Sequence, residues 1–205
     1  MFVAIAGNIG SGKSSLTELL HEQFGWQPYF ESVDDNPYLE DFYGDMNRWS
    51  FHLQVYFLSR RFVTHKQITS ARHDVVQDRS IYEDAEIFAL NLHAIGRMDD
   101  RDFANYRALF SAMSSYLRPP DLMVYLRADV DTLIRQIYQR GRSFEQGIER
   151  AYLEQLNTLY EDWTSRYALG PLIVIDTDEK DFVHNMQHQE ELLHTIHQAA
   201  GQHVR

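Results

Sequence analysis

The residues with the clearest chemistry stand near the start of the chain. Gly7-Asn8-Ile9-Gly10-Ser11-Gly12-Lys13-Ser14 fits G-x-x-x-x-G-K-[ST], and Ser15 follows directly. Glycines at these positions let successive backbone N–H groups turn inward around phosphate oxygens, where side chains would collide. Lys13 adds a point charge for the outer phosphates, and the Ser14 hydroxyl is suited to ligate Mg²⁺. A helix starting near Lys13 would aim its positive end at the same anion. Phe2–Ala6 reads as a buried strand entering the loop and Ser14–Leu20 as a helix leaving it. This context favours a nucleoside triphosphate site over a glycine-rich turn that binds nothing.

Three further clusters carry reactive groups. Glu31 closes an apolar stretch, where a carboxylate could act as base or orienting acceptor for an attacking hydroxyl; a helix cap is the plainer alternative. Asp78-Arg79-Ser80 offers an acid for Mg²⁺ or its water shell and an arginine for charge on a transferred phosphoryl group. The competing reading is a buried ion pair, with Ser80 as a helix N-cap, and for Ser80 the cap is preferred. Arg140-Gly141-Arg142-Ser143-Phe144-Glu145 reads equally as a phosphate-clamping lid or as a basic helix end capped by glycine. In the aromatic-rich Trp49–Arg61, Gln54 and Arg61 lie seven residues apart on one helix face and could read the edge of a base.

These groups need a scaffold, and the apolar runs alternate with helical patterns as a parallel α/β sheet requires. Strands are expected at Phe2–Ala6, Gln27–Glu31, Asp74–Asp78, Leu122–Leu126 and Leu172–Ile175. Helices are expected at Arg48–Arg72, Ile81–Ile95, Arg101–Leu117, Val130–Gln139, Ile148–Tyr167 and Phe182–Ala199. Ligands of such sheets lie beyond the carboxyl ends of the strands, where Gly7, Glu31 and Asp78 fall. No linker, repeat or low-complexity tract interrupts the 205 residues, so a single domain is expected.

Composition narrows the ligand class. A net charge of −11 disfavours a polymeric nucleic-acid partner and leaves room for a small substrate in a locally basic pocket. Hydrophobic residues make up 44%, enough for a full core, and no apolar run approaches the ~20 residues of a membrane span. The chain has no cysteine, which removes disulfides and thiolate metal sites. Five of its ten histidines fall between His184 and His203 without a ligand motif, as expected for a solvated helix face. The N-terminus enters the first strand directly, so no targeting peptide and a cytoplasmic setting are expected.

Taken in order, these residues resemble the deoxyribonucleoside kinases, and the short bacterial deoxyadenosine/deoxycytidine kinases most of all. Gly7–Ser14, Glu31-Ser32-Val33, Trp49–Arg61, Asp78–Asp84, Arg140–Arg142 with Glu145, and Tyr152-Leu153 with Leu156, Tyr160 and Trp163 follow the family order. The resemblance implies a P-loop kinase fold: a five-stranded parallel sheet flanked by helices, with an arginine-rich lid. It implies ATP as donor, held by Gly7 through Ser15 with Arg140, Arg142 and a late loop at Asp181-Phe182. It implies Mg²⁺ at Ser14 and Asp78, the latter through water, because aspartate here is one methylene shorter than the glutamate of animal members. Glu31 would meet the nucleoside 5′-hydroxyl, Arg79 would flank it, and Tyr43 and Glu145 would hold the 3′-hydroxyl. Gln54, Arg61 and Asp84 would hydrogen-bond the base, favouring deoxyadenosine and deoxycytidine over deoxyguanosine. Lys13, Glu31, Asp78 and Arg79 form the expected catalytic set, with Glu31 or Asp78 as proton acceptor. Ser32 in place of proline and Gln136 in place of arginine depart from the pattern, the second near the donor. A homodimer is the expected assembly.

Other readings of the same loop are a nucleoside-monophosphate kinase, a GTPase-like switch and a non-catalytic nucleotide sensor. Asp41-Phe42-Tyr43-Gly44 satisfies D-x-x-G, but no N-K-x-D motif accompanies it. A sensor would lack the acid–arginine set that is present here.

Overall fold

The Phe2–Gly7 segment is apolar along its whole length and forms β1, buried on both faces as the centre of a parallel sheet demands. The structure is a computed structural model that describes residues 1–31, 36–142, 145 and 147–203. Ser32–Asp35 after Glu31, and Ser143 and Phe144 of the expected lid, lie outside the described residues. Gln27–Tyr29 (β2), Val75–Asp78 (β3), Leu122–Arg127 (β4) and Leu172–Asp176 (β5) complete a parallel sheet of order β2-β3-β1-β4-β5. The α/β architecture with five parallel strands agrees with the sequence-based expectation. β1 pairs with β3 on one side and β4 on the other, so its carboxyl end is the topological switch point.

The expected end of β2 is corrected. β2 stops at Tyr29, not Glu31, because only Gln27–Tyr29 pair with β3 and the chain leaves the edge of the sheet there. Pro28, without an N–H, is tolerated on such an edge strand. Glu31 therefore sits two residues past the strand.

The chain divides into two compact units, and the first holds the sheet: Met1–Glu31, Ala71–Arg79 and Pro119–Arg205. Its helices are α1 (Lys13–Phe24), α7 (Val130–Arg140), α8 (Arg150–Ser165) and α9 (Met186–His203). Val3 and Ile5 of β1 share a core with Leu16 and Leu20 of α1 and Leu193 and Ile196 of α9. Each such burial contributes about 1.5–3 kcal/mol. Leu133 and Ile137 of α7 form a second cluster with Leu153 of α8. α9 begins at Met186, later than expected from Phe182, because Asp181 draws the N–H groups of Val183 and His184 into a turn. Asn185 then caps the helix by accepting from the N–H groups of Gln187 and His188.

The second unit, Ser32–Ser70 and Ser80–Arg118, is helical. It contains α2 (Leu39–Gly44), α3 (Met46–Ser70), α4 (Ile81–Glu83), a π-helical segment Asp84–Ala89, α5 (Leu90–Ala94) and α6 (Asp100–Ser114). Ser80 is an N-cap in a capping box with Glu83, the role preferred for it on sequence grounds. The D-x-x-G tetrapeptide lies inside α2, so it is helix rather than a switch loop.

His65 of α3 is fully buried, and its Nε2 donates to the Arg118 carbonyl at 2.7 Å. Burial lowers its pKa below the ordinary 6.5. The unfolded chain therefore takes up a proton first as pH falls, so stability is full above about 6.5 and is lost below it, down to the lowered folded value. We expect the melting temperature of the wild type to fall between pH 7.5 and pH 5.5, and His65→Gln to flatten that slope in thermal melts. An unchanged slope would remove His65 from the acid response.

Candidate active site

The loop after β1 takes a shape only this glycine pattern allows. Gly10 and Gly12 stand at φ +85° and +90°, where side chains are strained. A Cβ on Gly10 would come within 2.9 Å of the Leu133 carbonyl, and one on Gly12 within 2.8 Å of the Phe182 ring. The Asn8 amide fastens the loop from α8, donating to the Leu153 carbonyl at 3.0 Å and to Asn157 Oδ1 at 2.7 Å. Its own Oδ1 accepts from the Ile9 N–H. Lys13 is buried at the first position of α1, with Nζ donating to the Asn8 carbonyl at 2.8 Å. Backbone donors, a lysine and a helix start thus meet at one end of the sheet, an arrangement suited to phosphate.

Register brings the first acid to the loop. Ile5 of β1 pairs with Asp78 of β3, and Ser14 Oγ donates to Asp78 Oδ2 at 2.6 Å. Asp78 is 2% exposed, and its Oδ1 has no hydrogen-bond partner among the described residues. A buried carboxylate oxygen left over beside a serine hydroxyl is an oxygen-donor set that suits a hard divalent cation. Among the described residues there is no cluster of three or more His, Asp or Glu, so phosphate and water oxygens would have to complete such a shell.

Arg79 differs from every other non-glycine residue described. Its N–H continues the ladder to the Ile5 carbonyl at 3.0 Å, and then its backbone turns to φ +66°. That left-handed conformation costs an L-residue about 1 kcal/mol or more, and such strain concentrates at functional sites. The turn sends the side chain to Glu31, with Nε 3.3–3.4 Å from both carboxylate oxygens. Nη1 donates to the Tyr160 hydroxyl at 2.9 Å. The ion pair considered for Asp78 and Arg79 is thus divided: Asp78 faces Ser14, and Arg79 faces Glu31.

At Arg140–Arg142 the structure shows the helix-end reading. Gly141 caps α7 in the left-handed conformation at φ +71°, as a helix-ending glycine does. Arg140 and Arg142 both reach Glu145, Arg140 closely and Arg142 Nη1 at 3.4 Å. Glu145 is buried, while the two arginine side chains are each about one-third exposed. Phe182 packs in the core against Gly12, whereas Asp181 is solvated and ties the turn before α9. Backbone N–H bonding from His184 holds the Asp181 carboxyl below its ordinary pKa.

Within the helical unit, Arg61 Nε contacts Asp84 at 2.8 Å to Oδ1 and 2.6 Å to Oδ2, and both residues are buried. Gln54, one turn-pair earlier on α3, is buried, with Oε1 lacking a partner among the described residues. Tyr43 lies on α2, half-buried, its ring edge-on to Phe42.

Sequence reasoning missed two features. Asp84 opens a π-helical segment, and such insertions recur at functional sites because they re-aim side chains by one position. Nothing in Asp84–Ala89 distinguishes it from an ordinary α-helix by pattern. The other is the pair of bonds made by Tyr160, a residue of the family pattern to which no role attached: it lies 81 residues from Arg79 and 153 from Gly7, yet is bonded to both. A long-range bond of that kind leaves no local signal.

Comparison with known proteins shows the family. Residues 3–200 match the family described as Deoxynucleoside kinase. The chain is 42% identical over 197 residues to the deoxyadenosine/deoxycytidine kinase of Bacillus subtilis, covering 95% of this chain and 90% of that protein. It is 38% identical over 203 residues to the deoxyadenosine kinase of Lactobacillus acidophilus, covering 95% and 94%. A solved structure of deoxyadenosine kinase from M. mycoides, with products dCMP and a flexible dCDP bound, superposes with a TM-score of 0.86. It is 30% identical and covers 97% of this chain and 100% of that one. The same enzyme with bound dATP superposes with a TM-score of 0.86 at 29% identity, covering 96% and 99%. With a family match spanning nearly its whole length, the chain belongs to the deoxynucleoside kinase family.

Proposed function

We propose that this kinase transfers the γ-phosphoryl group of ATP to the 5′-hydroxyl of a deoxyribonucleoside, with deoxyadenosine and deoxycytidine as its preferred acceptors. The observation that carries the reading is the left-handed turn at Arg79, which aims one guanidinium at Glu31 directly after the acid that meets Ser14. Glu31 accepts the hydrogen bond of the attacking hydroxyl and takes its proton, since it is the more exposed of the two acids while Asp78 is engaged by the loop serine. Arg79 stabilises charge on the moving phosphoryl group. Lys13 and the backbone donors of Gly7–Ser15 hold the donor phosphates, and most of the acceleration is positioning, because the transition state is loose.

Ser14 and Asp78 would hold Mg²⁺, Asp78 through water, and the ion would supply positive charge against the donor phosphates. Arg140 and Arg142 add charge at the donor phosphates, with Asp181 and Phe182 beside the donor base. That role requires the arginines to exchange Glu145 for phosphate, which leaves Glu145 for the sugar 3′-hydroxyl. In the helical unit, Asp84 accepts from an exocyclic amino group while Arg61 holds it in place, and the spare Gln54 amide oxygen is a second acceptor. Adenine and cytosine carry that amino group and thymine does not. The deoxyadenosine/deoxycytidine kinase of B. subtilis and the dCMP and dATP bound by the M. mycoides enzyme support the same choice, while a deoxyadenosine kinase and a deoxyguanosine kinase of L. acidophilus, 38% and 39% identical to this chain, do not discriminate.

The reading treats residues 1–205 as one kinase domain working in the cytoplasm as a homodimer. Among the described residues, no helix is long and apolar enough to cross a membrane. The direct test is product identity. Incubation with ATP, Mg²⁺ and deoxyadenosine is expected to give the 5′-monophosphate, identified by ³¹P NMR, and none when Mg²⁺ is chelated. A 3′-phosphate, or turnover undiminished by chelator, would contradict it.

A further inference from the structure

Tyr160 lies outside every group assigned so far, yet it joins two of them. Its hydroxyl donates to the Gly7 carbonyl at 2.8 Å and accepts from Arg79 Nη1 at 2.9 Å. The direction of both bonds is forced: a guanidinium can only donate and a carbonyl can only accept, so the single phenolic hydrogen points at Gly7. Gly7 is the first residue of the phosphate loop, and Arg79 carries the left-handed backbone. One oxygen atom thus fixes the distance between the loop that holds the donor and the arginine beside Glu31.

The ring is held as firmly as its hydroxyl. Tyr160 is fully buried on α8, stacked on Tyr125 of β4 with centroids 5.5 Å apart and planes 10° from parallel. Trp163, almost one turn later, meets it edge-on at 6.3 Å. Tyr125 is itself anchored to α8 through its hydroxyl bond to Glu161 at 3.0 Å. The same helix grips the next loop residue, since Asn8 donates to Leu153 and Asn157, and Asn157 donates onward to the Ala128 carbonyl. α8 is therefore a rigid strut under the first two loop residues, and Tyr160 extends it to Arg79.

We propose that Tyr160 is a positioning residue for phosphoryl transfer, setting the Arg79 guanidinium relative to the phosphate loop so that it meets the transferring group. This rests on the role given to Arg79 above. Tyr160 is fully buried and acts by restricting where Arg79 sits. A misplacement of the order of an ångström in such a group lowers the chemical step without weakening ground-state binding.

The test is a double-mutant cycle of Tyr160→Phe with Arg79→Lys, read as kcat and KM for ATP and for deoxyadenosine. Tyr160→Phe removes one oxygen and keeps the ring stack. It is expected to lower kcat about tenfold or more with both KM values within about twofold of wild type. In the Arg79→Lys background the same change is expected to cost less than about twofold, because the group it positions is already lost. Tyr160→His, whose imidazole can still donate and accept, is expected to recover part of the loss. Wild-type kcat in Tyr160→Phe, or an equal loss in both backgrounds, would overturn the proposal while leaving Arg79's role standing. Wild-type kcat in Arg79→Lys and Arg79→Ala would instead remove that role, and the proposal with it. A melting temperature measured for each variant separates these outcomes from loss of the fold, and if Tyr160→Phe does not fold, Tyr160→His carries the comparison.

Discussion

Glu31→Gln is expected to lower kcat by about 10²–10⁴-fold, the range for removing a positioned general base. The substitution keeps size and one acceptor oxygen but cannot take the proton from an attacking hydroxyl. A fall in melting temperature should accompany it, because the Arg79 side chain is only 4% exposed and loses its carboxylate partner. The length of the contact, 3.3–3.4 Å, and the 21% exposure of Glu31 keep that fall short of loss of the fold. Arg79 keeps its bond to Tyr160 in the variant. Steady-state kinetics with deoxyadenosine, run beside a thermal melt, check both halves. A glutamine variant that turns over like wild type would transfer the acceptor role to Asp78, the other acid of the set.

Arg79 allows a sharper separation of stability from chemistry. Arg79→Ala and Arg79→Gly should both lose about 10³-fold or more in kcat, as expected when a charge-stabilising arginine is removed. Their stabilities should differ. At φ +66° an alanine retains the strain of the left-handed region, whereas glycine occupies it freely. Glycine should therefore be the more stable of the two by about 1 kcal/mol, seen as a higher melting temperature. Equal stabilities would mean that the turn relaxes once the side chain is gone, and the strain would then belong to the side chain's partners rather than to the backbone. Retained turnover in either variant would remove Arg79 from the transfer step.

How much of this was readable from the chain depends on the range of the interaction. The phosphate loop is local: eight residues specify its shape, and the buried β1 before it is one apolar run. Asp78-Arg79-Ser80 is adjacent in sequence, and the Ser80 cap requires only Glu83 three residues on. The Arg61–Asp84 pair has no sequence signature, since an arginine and an aspartate 23 residues apart carry no geometry until the helices are packed. The end of β2 was overrun because hydrophobicity continues through Phe30, while pairing with β3 stops at Tyr29. α2 went unseen because six residues with two acids and a glycine give too short a period to detect. Arg79's left-handed turn had no signal at all: arginine is not a residue that favours positive φ, so only the surrounding ladder and capping box impose it. The Tyr160 bonds depend on β4, α8 and the loop meeting in space.

The most direct measurement is the rate of ADP formation from ATP and Mg²⁺ with each of the four deoxynucleosides and with deoxyadenosine 5′-monophosphate as acceptors. Deoxyadenosine and deoxycytidine are expected to be phosphorylated, deoxyguanosine more slowly, with thymidine and the monophosphate near background. Turnover confined to the monophosphate would contradict the account, and so would the absence of turnover with every acceptor while ATP still binds.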